Sequence, residues 1–212
     1  MSKIVFESMK KAQTQTISVV LMTGIIISLA GAAYLWGKPL IEKSTTISDF
    51  TNALDFVLEL DKKIVDVVNS GSGSFEIDIP KGTLRVVPYD ADDPDNNSII
   101  YEIVVSQPIA YNASTILIRT ESDDPVGTYG EAEPRIITMS TLSTGGNMYQ
   151  LRFKIHYREL ITQTKGYRIA LNSPSKTGNK RVTIAYDKKE VQPLQASNNG
   201  DLILNHVEIT VI

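Results

Sequence analysis

The feature that most constrains this chain is an uncharged, apolar run near its N-terminus, from Ile17 to Trp36. No charged residue occurs between Lys11 and Lys38. A helix needs about 20 apolar residues to cross the ~30 Å hydrocarbon core of a bilayer, and this run has that length. A secretory signal has a shorter apolar core followed by a small-residue cleavage site, whereas this run ends in aromatic residues and a lysine. We therefore expect a membrane-spanning helix that the mature protein keeps.

Small residues recur inside the run, mostly at intervals of four. Small side chains on one helix face allow another helix to approach closely, so we interpret them as a packing seam against neighbouring subunits. The competing interpretation is that small residues are common in any spanning helix. The seam residues are Gly24, Ser28, Ala32, Ala33 and Gly37. Pro39 has no backbone N–H and is expected to bend or loosen the helix just beyond them.

After Pro39 the pattern becomes one-sided. Apolar residues continue to Val67 in steps of three and four with charged residues between them, which predicts an amphipathic helix. Its apolar stripe is expected to pack on the rest of the protein. The predicted helix covers residues 13–69, and the Gly- and Ser-rich residues 70–74 form a short linker.

Residues 75–212 carry the patterns of β-strands. The clearest strand lies between Met148 and Tyr157, where apolar and polar residues alternate, so one face is expected to be buried and the other wet. Residues 75–79 and 83–87 are expected to form a hairpin around Pro80-Lys81-Gly82. The remaining predicted strands are residues 99–105, 115–120, 135–140, 167–171, 181–186 and 202–211. The predicted class is α+β, a long N-terminal hydrophobic α-helix followed by an antiparallel, Ig-like β-sandwich head domain.

Composition and motifs argue against most enzymatic functions. The chain has no cysteine, which excludes disulfides, thiolate metal sites and a cysteine nucleophile. Phosphate-binding glycine loops and G-x-S-x-G are absent, and neither histidine has the spacing of a metal ligand. The net charge of −3 is not that of a general nucleic-acid binder. We therefore expect no catalytic residue, no cofactor, no bound metal and no nucleic-acid partner.

A few polar residues leave alternatives open. The Asp90–Asp95 loop is dense enough in carboxylates to bind Ca²⁺, although it lacks the glycine and terminal glutamate of an EF-hand, and a solvated loop is the alternative. We expect His156 to face solvent, and His206 would indicate a hydrolase only if it met a carboxylate in a pocket. Asn96 and Asn112 fit the N-x-[ST] pattern of N-glycosylation.

The residues just before the apolar run suggest processing. Lys10-Lys11-Ala12 precedes Gln13, and this arrangement resembles the class III signal peptide of prepilins in its archaeal form. Bacterial type IV pilins usually have Phe and Glu at the first and fifth mature positions, where this chain has Gln13 and Ile17. The resemblance covers the leader and the first helix. It implies that a prepilin peptidase cuts between Ala12 and Gln13 and removes residues 1–12, a leader that we take to be too short to fold.

The same resemblance implies a function. Archaeal pilins and archaellins are subunits of extracellular filaments, in which N-terminal helices bundle into a core and β-rich heads form the outer surface. The partners would be other copies of the chain, the prepilin peptidase, a membrane platform and an assembly ATPase. The precursor would reside in the cell membrane, and the filament would serve adhesion or motility. Pilin and archaellin remain equally compatible with these features.

Two alternatives do not involve a filament. An uncleaved signal anchor would explain Lys10 and Lys11 by the positive-inside rule alone. The chain would then be a single-pass surface β-domain, either a binding module or a stator-like partner of the archaellum. An anchored hydrolase would require convergent polar residues that the sequence does not display.

Overall fold

The computed structural model describes residues 2–109, 115–118, 122–146, 148–194 and 200–212, with side chains from Ile17 onward except that of Ser175. The chain forms two compact units, Met1–Thr45 and Thr46–Ile212. Helix α1 extends from Ser2 to Ser70 and contributes to both. Residues 2–12 are helical, so the expectation that they are too short to fold is wrong. Because they extend an existing helix, they do not bear the cost of helix nucleation.

The helix continues through Pro39 and ends at Ser70. Proline 39 therefore does not terminate the helix, and the amphipathic segment is a continuation of the same element. At the C-terminal end, the Gly71 N–H donates to the carbonyl of Val67 at 3.1 Å, and Gly71 has a φ of 64°. This is the left-handed cap that glycine adopts without a steric cost.

Twelve strands follow in the described part of the chain. They are β1 (Ser74–Asp78), β2 (Thr83–Val87), β3 (Ser98–Val105), β4 (Ile116–Leu117), β5 (Val126–Thr128), β6 (Arg135–Gly145), β7 (Met148–Tyr157), β8 (Glu159–Ile161), β9 (Lys165–Ser175), β10 (Thr177–Gly178), β11 (Arg181–Pro193) and β12 (Asp201–Val211). Sheet I has the order β1-β11-β12-β9-β8-β5, and sheet II has the order β10-β2-β3-β7-β6-β4.

The predicted class, α+β with a β-rich second part, is confirmed, but the fully antiparallel arrangement is not. In sheet I, β12 runs parallel to β9 and β5 runs parallel to β8, whereas every pairing in sheet II is antiparallel. An alternating sequence reveals a strand and its buried face, but it does not determine the neighbour or its direction. The head is therefore built on one mixed and one antiparallel sheet.

The predicted hairpin of β1 and β2 is wrong. Strand β1 pairs with β11 in sheet I, whereas β2 pairs with β3 and β10 in sheet II. The connection between them changes sheets at Gly82, whose φ is 120° and where an added Cβ would lie 2.3 Å from the carbonyl oxygen of Glu102. The positive φ of Gly82 thus allows the chain to pass from sheet I to sheet II, where a tight turn within one sheet was expected.

The main apolar core draws on both sheets and on the second part of α1. A smaller cluster contains Leu194, Leu202 and Leu204. Leu60, Ile64 and Val67 of the helix are fully buried. The Phe50 ring lies 6.0 Å from that of Phe153 and the Phe56 ring 4.8 Å from that of Tyr101, which packs the helix on β3 and β7 of sheet II. These contacts fix residues 46–70 of α1 as part of the head.

Asn97 connects the two sheets. Its side-chain amide donates to the carbonyls of Tyr157 and Ile169 at 2.6 and 2.8 Å, and its oxygen accepts from the Leu171 N–H at 3.0 Å. Asn97 is 3% exposed and has a φ of 53°, a conformation that asparagine tolerates better than most residues. One buried side chain therefore satisfies backbone groups of β9 in sheet I and β7 in sheet II.

Candidate functional site

The first candidate is the apolar surface of α1 within the unit Met1–Thr45. Large apolar side chains from Ile17 to Ile41 are all more than half exposed, and Trp36 is 89% exposed. Monomeric proteins in water rarely expose a contiguous apolar surface of this length, which is typical of surfaces that contact lipid or other protein. The part of α1 from Ile17 to Ser70 is long and apolar enough to cross a membrane, and a signal sequence near an N-terminus would meet the same criteria.

Two hydroxyl groups of this segment are satisfied within the helix itself. The Thr23 hydroxyl donates to the carbonyl of Val19 and the Ser28 hydroxyl to that of Gly24, each at 2.8 Å. A polar group needs such a partner wherever water is absent. These side chains can therefore enter lipid or a protein interior without an unpaired donor.

The predicted seam residues are distributed over more than one side of the helix. Gly24 and Ser28 form the floor of a shallow groove that Val20, Leu21, Ile25 and Leu29 also line. Nine residues separate Gly24 from Ala33, which at about 100° per residue places Ala33 and Gly37 on roughly the opposite side of the helix. Among the described residues, no atom lies within 4 Å of a Cβ built on Gly24, Gly31 or Gly37. No contact in the described part of the chain thus requires glycine there, although each helical glycine costs about 1 kcal/mol relative to alanine.

The apolar stripe of the later part of α1 is covered by the chain's own head. The apolar residues of α1 from Ala53 to Val68 that face the core are buried. At one margin of the contact between the helix and the head, Lys81 Nζ lies 2.6 Å from the Asp49 carboxylate. Lys63 Nζ lies 4.5 Å from the centre of the Phe75 ring at the other. The large apolar side chains from Ile17 to Ile41 are mostly exposed, and so is that of Ile47 just after Thr46.

A buried ion pair lies where α1 meets sheet II. Asp61 is 1% exposed, its Oδ2 is 2.6 Å from Arg135 Nε, and the Tyr157 hydroxyl donates to its Oδ1 at 3.1 Å. Burial, and then the neighbouring Asp61 carboxylate, raise the pKa of Tyr157 well above its usual value. We did not predict this cluster. The available signal was the position of Asp61 in the buried stripe, four residues after Val57 and three before Ile64.

The acidic loop contacts cations of the protein. Asp95 accepts from Lys154 Nζ at 2.6 Å and from Arg152 at 2.7 Å, and Asp93 lies 3.6 Å from Arg85. Partial burial favours the protonated form of Asp95, but the two cations outweigh it and lower the pKa of the carboxyl. Among the described residues, no group of three or more Asp, Glu or His side chains is arranged to hold a metal ion.

Both histidines have partners. His156 does not simply face solvent, because Ser98 Oγ lies 3.0 Å from its Nδ1, and burial followed by the charge of Lys154 lowers its pKa. His206 meets a carboxylate, since its Nε2 is 3.3 Å from Glu190 Oε2, and Asn172 lies 3.5 Å from its Nδ1. His206 is buried on β12, whereas Glu190 on the neighbouring β11 is partly exposed.

The remaining predicted residues are placed as follows. Asn96 is exposed in the loop before β3, while the Ser98 side chain of the same acceptor sequence is buried. Asn112 lies outside the described residues. Ala12 and Gln13 lie within α1, in the part where only the backbone is described.

Comparison with known proteins gives no relative from which a function can be transferred. No protein-family model matches the chain, and no curated protein or solved structure matches it significantly.

Proposed function

We propose that this chain is a subunit of an extracellular, type IV pilus-like filament, assembled from a membrane-resident precursor after cleavage between Ala12 and Gln13. The observation that carries the proposal is the exposed apolar surface of α1 from Ile17 to Ile41. In the precursor this surface is solvated by lipid, and in the filament it packs against the same segment of neighbouring copies. The resemblance of Lys10-Lys11-Ala12 to a class III signal peptide supports cleavage ahead of the helix.

The groove at Gly24–Ser28 and the small residues Ala33 and Gly37 on roughly the opposite side of the helix support packing on more than one side. A dimer needs one close-approach face, whereas a helix inside a bundle is surrounded by neighbours. Head-to-tail contacts that do not close into a ring produce an open helical assembly. The head, held to residues 46–70 by its own core, is then carried as an independent folded unit. On an extracellular head Asn96 is the favoured glycan acceptor.

The second candidate is a single-pass surface protein that does not polymerise. The burial of the later helical stripe by the chain's own head favours it, because that stripe then needs no other subunit. The two candidates differ in what covers residues 17–41 in the mature protein. Lipid covers them in the anchored protein, and protein covers them in the filament.

Trp36 is the only tryptophan in the chain and reports this difference directly. In proteoliposomes that contain brominated lipids, we expect quenching of its fluorescence in the precursor. In sheared surface fractions from producing cells, we expect a filament in which Trp36 is shielded from both iodide and added brominated lipid. A Trp36→Phe, Tyr129→Trp variant is the matched control, because its tryptophan sits on the head and remains open to iodide in both states. Quenching of mature Trp36 by brominated lipid would refute the filament.

Processing is tested separately by coexpression with an archaeal-type prepilin peptidase. We expect intact mass and N-terminal sequencing to show a mature chain that begins at Gln13. An Ala12→Trp variant replaces the small residue of the resemblance and should remain uncut. If the wild-type chain keeps residues 1–12 in the presence of active peptidase, the processed filament subunit is refuted and the anchored surface protein is favoured.

A further inference from the structure

A polar cavity of about 300 Å³ lies on the face of sheet II that points away from the core. Because side chains alternate along a strand, the cavity takes one side-chain row from β6 and one from β7. The strand register places these residues directly opposite one another, in the pairs Ile136 with His156, Thr138 with Lys154, and Ser140 with Arg152. The floor therefore carries hydroxyl, imidazole, ammonium and guanidinium groups around one isoleucine.

The walls come from outside these strands. Asp95 of the loop before β3 forms one wall, and Thr115 and Asp123, which precede β4 and β5, form another. Asp95 forms ion pairs with Lys154 and Arg152 at 2.6 and 2.7 Å, and these pairs fix the positions of the two cationic groups of the floor. The polar groups are thus positioned before any ligand arrives, which reduces the ordering cost of binding.

Arg152 has hydrogen-bonding capacity to spare. Its Nε is buried and has no hydrogen-bond acceptor among the described residues, the nearest carboxylate oxygen being that of Glu102 at 3.6 Å. Lys154 has three N–H donors, of which Asp95 takes one. The hydroxyls of Thr138 and Ser140 can both donate and accept.

The mixture of charges selects the ligand class. An anion would meet the carboxylates of Asp95 and Asp123, and a cation would meet Arg152 and Lys154. An apolar ligand would find only Ile136 and would leave the surrounding polar groups unpaired, at a cost of about 1–3 kcal/mol each. An uncharged molecule dense in groups that both donate and accept satisfies the whole set.

We propose that this cavity binds an uncharged saccharide. Arg152 and Lys154 donate to sugar oxygens, Asp123 accepts from sugar hydroxyls, and the Thr138 and Ser140 hydroxyls complete the contacts. A volume near 300 Å³ is at the small end of ligand pockets and suits a terminal sugar residue. The site is independent of assembly, so it serves a filament subunit and an anchored monomer equally.

The test uses the full chain in a zwitterionic detergent that has no sugar headgroup. Saturation-transfer NMR is recorded with the methyl glycosides of glucose, galactose, mannose and N-acetylglucosamine at millimolar concentration. We expect transfer to at least one glycoside. Thr138→Ile fills the cavity with another β-branched residue, and we expect it to weaken binding by about tenfold or more through steric exclusion and lost hydrogen bonds.

The matched control is Thr183→Ile, the same exchange on the outward face of β11 in sheet I. It should leave the transfer unchanged. Arg152→Met removes the donors without blocking the cavity and should also weaken binding. The proposal is overturned if none of the four glycosides receives saturation, if Thr138→Ile binds as wild type does, or if Thr183→Ile abolishes binding equally. Circular dichroism verifies that each variant retains its β-sheet content.

Discussion

Replacing the members of the Asp61–Arg135 pair one at a time and together should give strongly non-additive losses of stability. Breaking a buried ion pair costs about 3–5 kcal/mol, because the remaining charge is left without a partner in a poorly solvated site. Arg135→Met leaves Asp61, which is only 1% exposed, facing the interior, so we expect a loss of about 4 kcal/mol. Asp61→Leu leaves Arg135, which is 14% exposed and 3.5 Å from Glu133, so we expect a smaller loss of about 3 kcal/mol.

The double variant, Asp61→Leu with Arg135→Met, removes both charges and leaves the Tyr157 hydroxyl as the main cost. We expect a loss of about 1–2 kcal/mol, less than that of either single variant. The assay is urea unfolding of the full chain in non-denaturing detergent, followed by the near-UV circular dichroism of tyrosine in a Trp36→Phe background. Additive losses, with a coupling energy below about 0.5 kcal/mol, would show that the two side chains do not act as a buried pair.

Three further outcomes follow from individual residues. Gly82→Ala should destabilise the head by about 3 kcal/mol in the same urea assay, because its Cβ would meet the Glu102 carbonyl. Gly130→Ala should cost only about 1 kcal/mol, because Gly130 has a φ of 90° but no atom of the described residues lies near its Cβ. Asn97→Ala should cost about 3 kcal/mol through three buried hydrogen bonds, and Asn97→Gly should recover part of this because glycine accepts the positive φ; equal losses would contradict the backbone argument. The pKa of His156 is lowered on folding, so the stability that its neutral form supplies is present above its ordinary pKa of 6.5 and is lost as the pH falls through the window below it. His156→Gln should flatten this part of the pH–stability curve, and an unchanged slope would exclude His156 as its source.

Local patterns in the sequence predicted local structure well. The alternation between Met148 and Tyr157 identified β7 and its buried face, since Leu151, Phe153 and Ile155 are fully buried. The stepwise apolar pattern from Phe50 to Val67 identified the face of α1 that packs on the head. Leu40, Ile41 and Ile47, which belong to the same predicted stripe, are instead more than half exposed. In each case a period of 2 or 3.6 residues reports which side of one element is apolar, and burial follows from that alone.

The periodicity of single segments did not predict which distant residues contact one another. Strand β1 pairs with β11, which lies more than a hundred residues later in the sequence. Strand pairing depends on how whole sheets pack and not on the residue pattern of one strand. The partners of Asp61 on β6 and β7 depend on the same tertiary register. The cavity on sheet II arises because two strands and two loops converge, and no short motif marks such a convergence.

The place of β12 in sheet I has a consequence for biosynthesis. Residues 201–211 lie between β11 and β9, in the interior of the sheet rather than at its edge. Sheet I therefore stays in two separate pieces until these residues have been synthesised. Most of the pairings that close the head join residues far apart in sequence, which makes closure slow relative to local helix formation. A head with this strand order cannot complete sheet I before β12 has been synthesised.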